Sequence, residues 1–322
     1  MKDNWVTFFV WSISLFVLPL LIVSEYAKHL LVISLIYVLL AQGLNLTLGY
    51  TGNLSLGQAA LYALGAYVPS LLIIRTEMNF WVALLIGIIF VTIIGLILGA
   101  IGLRNRGSAF IIMTISFSTI VHLILVNWVE LTNGQMGISG LPNPSLFGYT
   151  FATKNSYYYL LLLIVLLVQF FVRQLVNSKI GRAFIAVKQD ESLAISLGIS
   201  PFHYSLLAFV LGSTITGLAG GLYMGYAQFV SPEMSNFHLI MLSILMMTVV
   251  GGRGTIWGPV VGAFIFTFLP EYLRIVEDLR MPIFGLMLIL MVLFIPEGLI
   301  PTIKNLYMKN IDKFNKREDV IS

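Results

Sequence analysis

Uncharged, mostly apolar residues recur along this chain in ten runs. They lie at Trp5–Val23, His29–Leu48, Gly57–Ile74, Phe80–Leu103, Ser108–Asn127, Ser156–Val172, His203–Val230, Phe237–Val250, Ile256–Pro270 and Met281–Pro296. Roughly 20 apolar residues are needed for a helix to cross the hydrocarbon of a bilayer. The runs are continuous and do not alternate apolar with polar positions, so the pattern predicts helices and argues against a barrel. The eighth and ninth runs are short, and only Gly251-Gly252-Arg253-Gly254-Thr255 separates them. They read either as two short spans or as one broken helical element. The expected fold is all-α, a polytopic helical membrane protein with eight to ten transmembrane helices. The first run lacks a strong basic leader and an obvious small-residue cleavage site, so it reads as a retained span.

Composition agrees with that pattern. The chain has 322 residues, of which 58% are hydrophobic and 10% charged, whereas a soluble domain carries about a quarter charged residues. The charges that exist are informative by position. With ten spans and both termini inside, the inner segments hold 13 of the 18 Lys and Arg residues and the outer segments hold 5. That bias obeys the positive-inside rule. It places the segment 179–200 and the basic tail 304–322 in the cytoplasm, with residues 1–303 forming the membrane domain. The net charge of +4 sits in loops and the tail, so it speaks to topology and to lipid headgroups, not to nucleic acid.

Several chemistries lose support. The runs contain no Asp, Glu, Lys or Arg, and ion-coupled carriers generally need such groups within the bilayer. A secondary carrier is therefore the weaker alternative. His29, His122, His203 and His238 are scattered without ligand spacing and read as helix-end or bundle-facing residues. There is no cysteine, no Walker A pattern and no visible catalytic cluster. No cofactor is expected, and energy for active transport has to come from another subunit.

Two glycine-rich breaks interrupt the apolar pattern. The first, Gly43 to Gln58, carries Asn45, Thr51, Asn53, Ser55 and Gln58 but no charge. Irregular backbone at membrane depth is tolerated where protein or a water-filled cavity satisfies it, and such breaks often line transport pathways. The second is Gly251 to Gly262. Tight turns and close helix packing through small residues are the favoured account of both breaks, and one segment can pack and line a pathway at once. The outer segment from Leu131 to Asn155 reads as a mouth-shaping loop or as a plain connector.

The most informative polar stretch runs from Gly181 to Ile199. Asp190 is placed to cap a short helix, and Glu191 sits at its positive end. Leu193 and Leu197, with Ala194 beside them, form an apolar stripe at i, i+4 spacing. Gly198 fits a helix stop and Pro201 prevents continuation. Lys179, Arg182 and Lys188 flank the segment. Such a helix can lie on a membrane surface or press its stripe into a partner's groove.

The run Glu191-Ser192-Leu193-Ala194-Ile195-Ser196-Leu197-Gly198 resembles the EAA loop of ABC-importer membrane subunits, with Ser192 and Leu193 in place of two alanines. The wider stretches resemble the LivM-type permeases of branched-chain amino-acid ABC importers. These are Gly181-Arg182-Ala183 through Gly198-Ile199, Tyr204 to Phe209, Gly217 to Tyr223, Leu48 to Gln58 and Gly251 to Pro259, in order across most of the chain. The resemblance implies the ABC importer permease fold in a bacterial inner membrane. It also implies a second permease of LivH type, two cytoplasmic ATP-binding subunits and an external substrate-binding protein. The implied ATPase-coupling residues are Gly181, Arg182, Asp190, Glu191, Ser192, Leu193, Ala194, Leu197 and Gly198. Asn45, Thr51, Asn53, Ser55 and Gln58 are the candidates for the translocation pathway. Leu, Ile or Val are the implied substrates, with urea and short-chain amides as alternatives because their permeases look similar.

Overall fold

A computed structural model describes residues 5–21, 24–104, 107–146, 148–272, 285, 289, 293 and 298–302. The basic tail and nearly all of the run Met281–Pro296 lie outside the described residues. Among the described residues twelve α-helices are defined: α1 Trp5–Leu21, α2 Glu25–Leu44, α3 Gln58–Thr76, α4 Phe80–Gly102, α5 Ser108–Asn127, the single turn α6 Val129–Thr132, α7 Lys154–Asn177, α8 Lys179–Gln189, α9 Glu191–Ser196, α10 Pro201–Ala227, α11 Leu242–Gly252 and α12 Gly258–Tyr272. Among the described residues six helices are long and apolar enough to cross a membrane: α2 with its π-helical extension to Tyr50, α3, α4, α5, α7 and α10. Shorter apolar helices cover Trp11–Leu20, Phe237–Gly252 and Gly258–Glu271. The protein is a polytopic helical membrane protein, as its hydrophobic pattern predicts.

Hydropathy and burial divide the helices into a centre and a periphery. The most apolar 18-residue window of α4 has a mean hydropathy of 3.0, yet only 28% of it is buried; for α2 the values are 2.0 and 83%. A helix that is apolar all round but mostly exposed is suited to lipid. A more polar, buried one belongs inside, and α2 and α10 are the inner pair.

Small residues on α10 bring the inner helices together. A Cβ on Gly225 would meet Phe80, one on Gly217 would meet Val91, and Ser213 lies against Gly95, so α4 runs antiparallel to α10. On other faces, Gly212 lies against the backbone of Gly43 in α2, and Gly220 against that of Tyr62 in α3. Without a hydrophobic driving force between helices in lipid, close backbone approach and dispersion hold them together. Thr216 adds a buried hydrogen bond, donating to Gln58 Oε1 at 2.6 Å.

The eighth and ninth runs prove to be two short helices folded back on each other. Gly251 packs on Gly258, and Gly262 packs on the Met247 backbone. Phe237–Met241 forms a π-helical turn that leads into α11, and the side chain of Asn236 caps it by accepting from the His238 and Leu239 amides.

Charged residues separate to the two ends. At one end Glu25 pairs with Lys28 at 2.9 Å and with Lys154 at 3.7 Å, and Arg75 donates to the Glu130 carbonyl at 2.8 Å. The other end carries α8, α9 and the Gly252–Thr255 turn, with Lys179, Arg182, Lys188 and Arg253. The segment from Leu131 to Asn155 is folded. Strand β1 (Ile138–Ser139) pairs antiparallel with β4 (Phe229–Val230) just after α10, and β2 (Ser145–Leu146) pairs with β3 (Tyr149–Thr150). Trp81 Nε1 donates to the Ser145 carbonyl at 2.6 Å, tying this cap to α4.

Candidate functional site

Three stretches far apart in sequence meet at the basic end of the bundle. These are the first glycine break, the second glycine break and the polar segment 179–200.

The polar segment is two helices, not one. Ser178 caps α8 by accepting from the Ile180 and Gly181 amides. Its inner face, Ile180, Phe184 and Val187, follows i, i+4, i+7 spacing. Phe184 is fully buried, edge-on to Tyr204 of α10. Gly181 is confined because a Cβ there would enter the Val176 backbone at the turn from α7. Arg182 is on the exposed side.

The second helix, α9, is the short capped element read from the sequence. Asp190 Oδ1 accepts from the Ser192 and Leu193 amides at 2.8 and 3.0 Å. Gly198 has a φ of +77°, and the chain closes around it. The Gly198 amide donates to the Ile195 carbonyl and the Ile199 amide to the Ala194 carbonyl, both at 2.9 Å. That pair of bonds is a Schellman stop. Ala194 is buried, whereas Leu193 and Leu197 are 60% and 69% exposed, with Ile195 beside them at 61%. Glu191 and Ser192 are exposed as well. A doubly capped turn thus presents three apolar side chains beyond the fold.

Lys188 connects this element to the first break. Its Nζ donates to the Gly49 carbonyl at 2.6 Å. Burial, helped by the neighbouring charge of Arg253, holds the ammonium below the usual lysine range. Gly49 lies in the π-helical turn Asn45–Tyr50 that extends α2. From that turn Asn45 reaches the second break: its Nδ2 donates to the Thr255 carbonyl and its Oδ1 accepts from the Gly254 amide, both at 2.8 Å. Gly49 and Gly254 touch so closely that a Cβ on Gly49 would lie 2.5 Å from the Gly254 nitrogen. The two breaks therefore pack on each other, and Asn45 joins them.

The remaining candidates of the first break are spread around it. Thr51 is buried and donates to the Thr47 carbonyl at 2.7 Å. Asn53 is partly exposed and donates to Ser205 Oγ of α10 at 3.0 Å. Ser55 is buried and accepts from the Gly57 amide at 3.3 Å. Gln58 is buried against Thr216, and its Nε2 has no hydrogen-bond partner. Thr114 of α5 accepts from the Leu56 amide at 3.0 Å, so α5 closes this region. The reach of Lys188 to Gly49 has no signal in the sequence, because 139 residues separate the pair. Lys188 reads there only as a flanking charge.

Comparison with known proteins gives the family. The family described as branched-chain amino acid transport system / permease component matches residues 26–292. The high-affinity branched-chain amino acid transport system permease protein LivM of Escherichia coli (strain K12) is 32% identical over 312 residues, covering 89% of this chain and 73% of that relative. LivM of Salmonella typhimurium (strain LT2) is 31% identical, covering 87% and 71%. The permease protein LivH of the same organism is 25% identical, covering 71% of this chain and 79% of that relative. No solved structure matches the chain. With a family match over most of its length and LivM relatives above 30% identity, this chain belongs to the permease components of branched-chain amino acid transport systems.

Proposed function

We propose that this permease is one membrane subunit of an ATP-driven importer that moves Leu, Ile or Val inward by alternating access. Its partners are a LivH-type permease, two cytoplasmic ATP-binding subunits and an external binding protein that selects the substrate. The basic end of the bundle faces the cytoplasm of a bacterial cell, and both termini lie there. ATP hydrolysis takes place on the separate subunits.

One observation carries this reading. The exposed apolar turn of Leu193, Ile195 and Leu197 is capped at both ends, lies at the basic end and is connected through Lys188 to the first glycine break and from there through Asn45 to the second. An unpaired apolar surface on a capped helix suits a partner's groove. Motion of that partner reaches α2 through Gly49, and the α11–α12 turn through Asn45. The first break forms the wall of the pathway, with Asn53 as its partly exposed contact and Asn45, Thr51, Ser55 and Gln58 holding its shape.

The test is reconstitution of the four kinds of subunit in proteoliposomes. ATP-dependent uptake of leucine that requires the binding protein is the expected result. Uptake of urea or acetamide in place of leucine would move the substrate to the alternative class. Leucine uptake without ATP would overturn the mechanism.

A further inference from the structure

A polar ladder on α5 leads from the first glycine break to a pocket toward the opposite end of the bundle. Thr114, Ser118 and His122 are spaced i, i+4, i+8, which puts them on one face about 12 Å long. Thr114 holds the Leu56 amide of the break. Ser118, Thr119 and His122 line a pocket of about 170 Å³, closed on its other side by Ser235, Asn236, Phe237 and His238.

Two features of this pocket bear on what it could hold. Ser34, Ser70, Thr119, Ser213 and Thr248 all return a hydrogen bond to a carbonyl four residues back. Ser118 does not. It is 2% exposed and its Oγ has no partner. A buried hydroxyl left without a partner is costly in an apolar medium, so its place at the pocket wall points to a ligand or a passing solute.

The second feature is the orientation of His122. The Ser235 hydroxyl donates to the Pro232 carbonyl at 2.6 Å. His122 Nδ1 lies 2.9 Å from Ser235 Oγ, whose proton is already committed, so Nδ1 carries the hydrogen and donates. In the neutral ring Nε2 is then a bare acceptor. The pocket thus combines an acceptor nitrogen, an unpartnered hydroxyl and the apolar ring of Phe237.

We propose that this pocket is a transient substrate-contact subsite of the translocation pathway. His122 Nε2 accepts from the ammonium of a zwitterionic amino acid, and the Ser118 hydroxyl takes the second polar contact. The subsite rests on the importer reading above, and it adds the place on this chain where the substrate's polar head is met. It contains no fixed charge among its lining residues, which suits a solute that is handed on and not retained.

The test uses the reconstituted complex carrying Ser118→Cys, in a chain with no other cysteine. A small ammonium-bearing thiosulfonate should modify position 118, and leucine, isoleucine or valine should slow that reaction about tenfold at saturation. Separately, Ser118→Ala and His122→Leu should each raise the KM for leucine uptake about five- to tenfold, the equivalent of one lost hydrogen bond, with the ATP-binding subunits still retained. Leucine import that proceeds normally in both substituted proteins, with position 118 inert or unprotected in every nucleotide state, would overturn the subsite and leave the importer reading standing. Protection by urea or acetamide and not by leucine would keep the pocket on the pathway but overturn its zwitterionic ligand and the amino-acid reading together.

Discussion

The Lys188 ammonium donates to the Gly49 carbonyl at 2.6 Å, and this contact joins the outer helix α8 to the π-helical extension of the inner helix α2. Arg253 lies close enough to disfavour the charge, so three sequence stretches share one small region. Lys188→Met keeps the length of the side chain and removes the donor. One hydrogen bond is worth about 1 kcal/mol, too little to unfold the bundle. The expected outcome is a complex that assembles and hydrolyses ATP but imports less substrate per ATP, with Lys188→Arg closer to the parent. Measuring uptake and hydrolysis in the same proteoliposomes checks this. An unchanged ratio would remove Lys188 from the coupling route.

Much of the fold is legible in the sequence because lipid leaves few choices. Runs such as Phe80–Leu103 and Ser108–Asn127 satisfy their backbones internally only as helices, and α4 and α5 follow them within a residue or so. The capped turn was legible for a local reason: Asp190 and Gly198 act on neighbours within a few residues. Other relationships were hidden. The contact of Gly49 with Gly254 and the clamp of Asn45 depend on helices crossing in space, and no period in the sequence carries that. The sequence also merged α8 into a flank, since the amphipathic spacing of Ile180, Phe184 and Val187 sits among basic residues that read as a loop. His122 read as one of four scattered histidines, because its partner Ser235 is 113 residues away.

Gly198 tests the Schellman stop on backbone grounds alone. Its φ of +77° is in the left-handed region, and a Cβ there would meet nothing within 4 Å. Sterics with neighbours therefore play no part. Asn visits this region readily, whereas a β-branched residue is strained there by roughly 1–2 kcal/mol. Gly198→Asn should retain uptake, and Gly198→Val should lose a large share of it along with ATPase retention. Equal behaviour of the two substitutions in co-purification would show that the stop does not hold the turn.

Gly65 of α3 packs against the backbone of Gly217 in α10. Gly65→Leu would force α3 and α10 apart, and overpacking of this kind costs about 1–3 kcal/mol or more. The purified permease should lose thermal stability, read as earlier aggregation on heating in detergent. A Gly65→Leu protein as heat-resistant as the parent would contradict the close approach of α3 and α10.

The division of charge between the two ends gives a topology test. Gln189 lies on the exposed end of α8, and Thr150 lies in the cap beyond α4. Single cysteines can be placed at either position because the chain has none. In intact cells stripped of any outer barrier, an impermeant thiol reagent should label Thr150→Cys and spare Gln189→Cys until the membrane is opened. The reverse labelling would invert the orientation and place α9 where no cytoplasmic subunit could reach it.

Leu193 and Leu197 carry the most consequential prediction. They project from a turn fixed at both ends, by Asp190 on one side and the Gly198 stop on the other. In the isolated chain they touch water, so replacing them leaves the internal packing alone; Ala194 is the residue of α9 that faces inward. Fully burying a leucine in a partner's groove contributes about 1.5–3 kcal/mol, and placing a carboxylate there adds a desolvation cost. Leu193→Asp with Leu197→Asp should therefore abolish uptake and strip the ATP-binding subunits from the purified complex. The permease itself should remain inserted and as heat-resistant as the parent. The control pair Leu193→Met with Leu197→Met keeps apolar bulk and should retain the subunits. If the doubly acidic protein imports substrate at the parental rate with its ATPase subunits bound, the exposed turn is not the docking surface, and the force for transport must enter this fold elsewhere.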